Sequence, residues 1–378
     1  MKKRLNIVAL LVAFSLLLST FCFAYNETYV DCQLGTGDSD GSSEANAWQS
    51  LQEAADEAAA GDRINIEYDG AGWICTLTST IDLDAIANLT FQGYSATPGD
   101  GTYAVIDGDS VAVNIFSGAA SGNANQTLRH ISMGGSTGDA IVTDGSSQDF
   151  WNVVECIITT AGDDGIQSCN GCSEHYYIGN EVTGTTGHGF SLAGAQENLL
   201  DNYIHDTTVY NIRVGAADIR IYGNILDTGT YNLYIDNQVR TTIYGNTLYN
   251  STSNSNMYLH NGGSDDHVGI NNIFDTAADY NINGVSGYTF KIYGYNNLSN
   301  STTSATNNFA TTMDLGGGQT ETGMNTTTFQ PPSALDDLGY PLAFQGLGAG
   351  PHREIGAIMY EETAGGAGTG SLSVSTNF

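Results

Sequence analysis

The heptapeptide IYGNILD, residues 221–227, returns 22 residues later as IYGNTLY, residues 243–249. The same phrase is legible in YIGNEVT (177–183), LDNYIHD (200–206), GINNIFD (269–275) and YNNLSN (295–300). Its asparagines Asn180, Asn202, Asn224 and Asn246 stand 22 residues apart, and Asn272 and Asn297 follow after 26 and 25. Periods of about 20 to 30 residues belong to solenoids. Short alternating strands separated by Gly, Asn, Asp and Thr fill each repeat, and only one segment suits a helix. The expected fold is therefore all-β, a right-handed parallel β-helix. A side-chain amide can bridge coils ~4.8 Å apart on both sides, so the asparagine column reads as structural. His130 and Cys156 are expected in the equivalent place of two earlier coils.

The ends read differently from the repeats. Met-Lys-Lys-Arg precedes an apolar run ending at Ala24, which predicts a signal peptide over 1–24 and a secreted, extracellular protein. Residues 25–362 are expected to form a single β-helix domain: an N-terminal cap over 25–70, coils over 71–316 and a C-terminal cap over 317–362. Residues 363–378 read as a flexible tail. ANAWQSLQEAADEAAAGDRINI predicts the capping helix, with Asn46 as N-cap, Trp48, Leu51, Ala55 and Ala58 on one face, and Gly61 as the stop. Such a helix would cover a sheet edge that otherwise invites pairing with other chains.

The net charge is −31, with 41 acidic residues and only seven basic ones beyond the leader: Arg63, Arg129, Arg213, Arg220, Arg240, Lys291 and Arg353. Nucleic acid and anionic membrane surfaces are therefore not expected as partners, and a monomer is expected. An acidic polysaccharide would be repelled at long range, except where salt screens the field beyond roughly 5 to 8 Å. Five cysteines lie beyond the leader. Cys32 with Cys75 could staple the N-terminal region, Cys169 and Cys172 of CNGC could close a small loop, and a zinc site with His175 is the less favoured reading. No cofactor is expected. Calcium is the possible exception, at the oxygen-rich stretch from Asp38 to Glu44, where an ordinary turn is the favoured reading.

A second alignment runs through Ile141, Ile166, Phe190, Ile212, Leu233, Met257 and Ile282, expected to stack inward. Two residues earlier, Asp139, Asp164, His188, Tyr210, Tyr231, Ser255 and Tyr280 should then face outward. One residue later come Val142, Gln167, Ser191, Arg213, Tyr234, Tyr258 and Asn283, with Asp144, Asp236 and His260 extending the face. Tyrosine rings on such a face suit the apolar sides of sugars. Most of the chain resembles secreted proteins of the pectate-lyase-like superfamily, through its opening YVDCQLGTGDSDGSSEANAWQSLQEA and its closing REIGAIMYE. TGDAIV, AGDDGIQS, TGHGFSL and YNIRVG more narrowly resemble the polygalacturonase-type glycoside hydrolases. That resemblance implies Asp139, Asp163 and Asp164 as catalytic carboxylates with His188 beside them, and Arg213 as a substrate-binding residue. Tyr210, Tyr231, Tyr234 and Tyr258 join Arg213 as expected substrate-binding residues. Thr137-Gly138 and Gly215 depart from the family's motifs, the latter standing where the family places a substrate-binding lysine.

Hydrolysis of a polysaccharide by the aspartate cluster is the function this reading expects, since it needs one carboxylic acid and one carboxylate. The alternative is a non-catalytic glycan-binding or matrix protein. A lyase or epimerase ranks lower, because Lys291 is the one lysine beyond the leader.

Overall fold

The computed structural model describes most of residues 26–298. Residues 1–25 and 299–378 lie outside it, as do 34–39, 71, 84–86, 119–124, 144–148, 237–239, 254, 261–266, 271, 279, 285–289 and 293–296. The expected signal peptide, last coils, C-terminal cap and tail fall there, together with Asp38 and Asp144.

Three parallel sheets form the solenoid. The first has eleven strands from Glu27–Val30 to Phe290–Ile292, the second ten from Cys75–Thr76 to Asn297–Leu298, and the third nine from Ile81–Asp82 to Tyr280–Gly284. Each strand pairs with its counterpart one coil away, as the repeat requires. On the third sheet Ile141 pairs with Ile166, then Phe190, Ile212, Leu233, Met257 and Ile282 in unbroken register. All seven are fully buried, so the inward alignment holds. At ~1.5–3 kcal/mol for each large apolar side chain, such columns supply the main driving force.

The buried asparagines Asn180, Asn202, Asn224, Asn246 and Asn272 form one continuous ladder. Each side chain donates Nδ2–H to the next Oδ1 at 2.8–3.0 Å, and that same Oδ1 accepts the preceding asparagine's backbone N–H at 2.8–3.0 Å. Cys156 heads the ladder by donating its backbone N–H to Asn180 Oδ1. His130 does not belong to it. Strand register places Ile131 opposite Cys156, and His130 sits one residue earlier at a left-handed corner with φ 50°, where Gly179, Gly223 and Gly245 stand in later coils. Its ring instead meets Glu155 at 2.6 Å. The glycine of the YGN phrase is thereby explained as a corner residue of positive φ.

Helix α1, Leu51–Glu57, occupies the expected capping segment but starts later than the sequence suggested. Ser50, not Asn46, is its N-cap, accepting the Glu53 N–H at 3.3 Å, because residues 44–46 form a separate 3₁₀ turn. Leu51, Ala54 and Ala55 face the core, while Trp48 bridges to Val30 ahead of the helix. Ala58 is the C-cap, so the helix stops before Gly61. It packs on the terminal strands of the first and third sheets. Gln52 completes the cap: its amide donates to Asp82 O at 3.1 Å and accepts from Asp82 N at 2.6 Å. One side chain thus stands in for a missing strand along the edge. A disulfide joins Cys32 to Cys75 beside this end, and Cys156 remains a buried free thiol.

Candidate functional site

The coil-to-coil turns that precede the third sheet bring Asp139, Asp163 and Asp164 together. Carboxylate oxygens of all three lie within 4.8 Å of one another. Their environments differ. Asp163 is exposed, whereas Asp139 and Asp164 are 8% and 4% exposed, so the outward column expected of these two is corrected. The cause is backbone satisfaction. Asn114 Oδ1 accepts Asp139 N–H at 3.1 Å, Asp139 Oδ1 accepts Asp164 N–H at 2.9 Å, and Asp164 Oδ1 accepts His188 N–H at 2.6 Å. The short side chains bend in to close the turn, as Asx residues do. Ser255 is also buried, for which the contacts give no comparable account.

Two glycines of the motifs follow from the same crowding. A Cβ on Gly187 would collide with carboxylate oxygens of both Asp163 and Asp164, and one on Gly189 would strike Ile204 and the Asn211 carbonyl. The glycines flanking His188 are spacers, one for the carboxylates and one for the core.

Electrostatics separate the groups further. Burial raises the Asp164 carboxyl above the ordinary range, against hydrogen bonds from the His188 backbone, Ser191 and Gln167 and the Arg213 charge. Partial desolvation raises Asp163 as well although its side chain reaches solvent, helped by the neighbouring Asp164 and opposed by His188. Burial together with the Arg213 charge pushes His188 down to about 4, against the pull of Asp163, so its ring is neutral well above that value. Carboxyls held near one another with raised affinity for protons can share one.

From His188 an aromatic stripe descends the third sheet. His188 stacks on Tyr210 at 4.7 Å, Tyr210 on Tyr234 at 4.3 Å, and Tyr234 on Tyr258 at 5.5 Å. Tyr231, next after Tyr210 in the same column, packs against Tyr210, Tyr234 and Tyr258. Arg213 lies beside the stripe with its side chain 42% exposed, 3.5 Å from Asp236. His260 Nδ1 meets the other oxygen of Asp236 at 3.2 Å. Every expected site residue therefore falls in one continuous face. Tyr234 is nearly covered by its neighbours, and Tyr280 carries no side-chain description. Asp236 and His260, placed by the sequence only as extensions of the face, are integral to it because they engage Arg213 and Tyr234.

Sequence reading missed a second buried ladder under the stripe. Asn211, Asn232, Asn256 and Asn281 pass Nδ2–H to the next Oδ1 at 2.7–3.0 Å. Their recurrence just before Ile212, Leu233, Met257 and Ile282 was the available signal.

The other candidate ligand groups are accounted for locally. Cys169 and Cys172 are joined as a disulfide, with His175 nearby. His175 Nδ1 accepts the Trp151 N–H at 3.0 Å, which leaves the ring proton on Nε2 and no free lone pair for zinc. Asp40 caps its own turn through Ser42, N–H at 2.9 Å and hydroxyl at 2.5 Å, as the turn reading of that stretch expects. No described helix is long and apolar enough to cross a membrane.

No protein-family model matches this chain, and no curated protein matches it. Solved structures do. The A-module of a mannuronan C-5 epimerase from Azotobacter vinelandii superposes with a TM-score of 0.53 at 11% identity, over 78% of this chain and all of that one. A pectate lyase gives 0.47 at 13% identity over 88% and 96% of the two chains, and XylC in complex with xylose gives 0.47 at 10% over 72% and 75%. The class defined is the parallel β-helix, an all-β solenoid. At these identities the likeness reaches the fold and stops there.

Proposed function

We propose that this is a secreted carbohydrate-active protein that hydrolyses a polysaccharide at the Asp139, Asp163 and Asp164 cluster. One observation carries the reading: three carboxylates within 4.8 Å stand at the head of an unbroken aromatic stripe. A glycan laid along Tyr210, Tyr231, Tyr234 and Tyr258 would bring a glycosidic bond to the carboxylates. Asp164, raised by burial, is the proton donor to the leaving oxygen; Asp163, exposed to solvent, takes the proton of the attacking water. Water adds across the bond and two hydroxyl ends result. Asp139 is a positioning residue, since its carboxylate receives the Asp164 backbone N–H. A β-helix protein whose name gives mannuronan as its substrate is in keeping with polysaccharide as the ligand class.

A second reading, glycan binding without turnover, has its own observation. Asp139 and Asp164 are buried and tied to backbone N–H groups, duties that a scaffold alone would require. Reducing-end release from a glycan panel separates the two. Release that disappears in Asp163→Asn supports hydrolysis; binding that persists in that variant, with no release by the wild type, establishes the second reading. Product absorbing in the ultraviolet from a new double bond would instead mean elimination.

A further inference from the structure

We infer that the ligand of this face is a neutral glycan and that Asp236 enforces the choice. This inference rests on the carbohydrate reading above. Among the described residues, Arg213 is the one Arg or Lys on the third sheet; Arg63, Arg129 and Arg220 belong to the first, and Arg240 is held by Asp218 at 2.8 Å. A uronate carboxylate approaching the stripe could therefore be met by Arg213 alone. That guanidinium is already engaged by a carboxylate, with Asp236 Oδ2 at 3.5 Å. Asp236 is held toward it by His260, which occupies the remaining oxygen at 3.2 Å.

The rest of the face carries the carboxyl groups of Asp139, Asp163, Asp164 and Asp236, with Asp164 protonated in the reaction proposed above, against the one arginine. An incoming carboxylate would meet like charge at contact distance, where bulk salt screens poorly. A neutral sugar meets none of this. Its hydroxyls can donate to Asp163 and Asp236, and its apolar faces can lie on the tyrosine rings. Gly215 adds nothing cationic after the strand that carries Arg213.

The test is calorimetric titration of the full-length protein with cellohexaose, xylohexaose and mannohexaose, and with hexagalacturonate and hexamannuronate, at low and at high salt. The expected result is binding of at least one neutral hexasaccharide about tenfold or more tighter than either uronate, with the gap persisting at high salt, where the repulsion from the net charge of −31 is screened. Asp236→Asn keeps the side-chain shape and frees Arg213, so uronate affinity should rise about tenfold and the gap close. Uronate binding to the wild type as tight as neutral binding, and lost in Arg213→Gln, overturns the inference and leaves the carbohydrate reading standing. An unchanged gap in Asp236→Asn overturns the role given to Asp236. Binding of none of the five probes, with none of the wider glycan panel bound or cleaved, overturns the carbohydrate reading itself.

Discussion

Asp164→Asn separates the chemistry of the cluster from its scaffold duty. The amide oxygen of Asn can still accept the His188 N–H that now reaches Asp164 Oδ1 at 2.6 Å, so the turn stays closed. Exchanging a charged acceptor for a neutral one costs about 1 kcal/mol. Against this, the variant removes a buried carboxyl whose pKa is raised in the folded state. A raised folded pKa means that its contribution to stability is complete below the unfolded value of 3.8 and is lost as pH rises through the folded value. Above the folded value the ionised group is therefore a liability, and its removal offsets the weaker hydrogen bond. Stability at pH 7 should stay within about 1 kcal/mol of wild type, measured by urea denaturation. Asp164→Ala, by contrast, strands a buried N–H and should lose about 1–3 kcal/mol. Turnover should fall by about 10² to 10⁴ in the Asn variant, or about 2.7–5.4 kcal/mol of transition-state stabilisation. Turnover within threefold of wild type, or Asn and Ala variants equally destabilised, would refute the assignment of Asp164 as proton donor with a preserved cap.

Three other perturbations test the frame around the site. Asn224→Ala removes the acceptor of the Asn202 N–H at 2.9 Å and breaks the ladder on both sides; a loss of about 3–5 kcal/mol is expected, and equilibrium denaturation with hydrogen exchange at the Asn202 amide reads it. His188 and His175, both held down to about 4, must take up protons on unfolding, so the stability they contribute declines as pH falls from 6.5 toward 4; His188→Asn should flatten that slope, followed as urea midpoint against pH. Cys75→Ser opens a loop with a sequence separation of 43 residues and should cost about 4 kcal/mol by chain-entropy arithmetic, seen as a lower denaturation midpoint under non-reducing conditions.

The fold was legible because its signal repeats. Asn180 to Asn246 recur every 22 residues, and Asn272 after 26, because each must reach the next, and Ile141 to Ile282 recur because one inward column must stay apolar. Single-residue placements were harder wherever the rule was local. His130 looked like a ladder member, since the corner and ladder positions are adjacent and both accept polar residues. The helix start was misplaced because Asn46 and Ser50 are both good caps, and only the 3₁₀ turn at 44–46 decides between them. At the site, the co-location of Asp139, Asp163, Asp164, His188 and Arg213 followed from phase. Burial did not, because period-two alternation assigns a side to each Cβ but cannot say that a carboxylate folds back onto a neighbouring backbone.

That folding back relates the site to the scaffold. Before Phe190 the inward neighbour position holds Ala140, Gly165 and Gly189, too small to supply any hydrogen bond, and the turn N–H groups are closed from outside by Asn114, Asp139 and Asp164. From Asn211 onward the inward position holds the second asparagine ladder, which closes the turns from within by donating to the carbonyls of Asp227, Tyr249 and Asp275. The outer position is then released from backbone duty, and Tyr210 and Tyr231 occupy it, packed edge to face at 5.4 Å, with His188 of the coil before stacked on Tyr210. The carboxylates and the tyrosines are thus two solutions to one problem of turn closure, meeting at His188. Asp163 is the member that solves no such problem. It stands exposed in the outer turn with its backbone paired to Gly138 and Gly187, and Gly187 leaves room for its carboxylate. A residue that the scaffold does not require, kept beside two that it does, is where selection for chemistry would be visible, and Asp163→Asn is accordingly the variant in which function should fail while the fold is untouched.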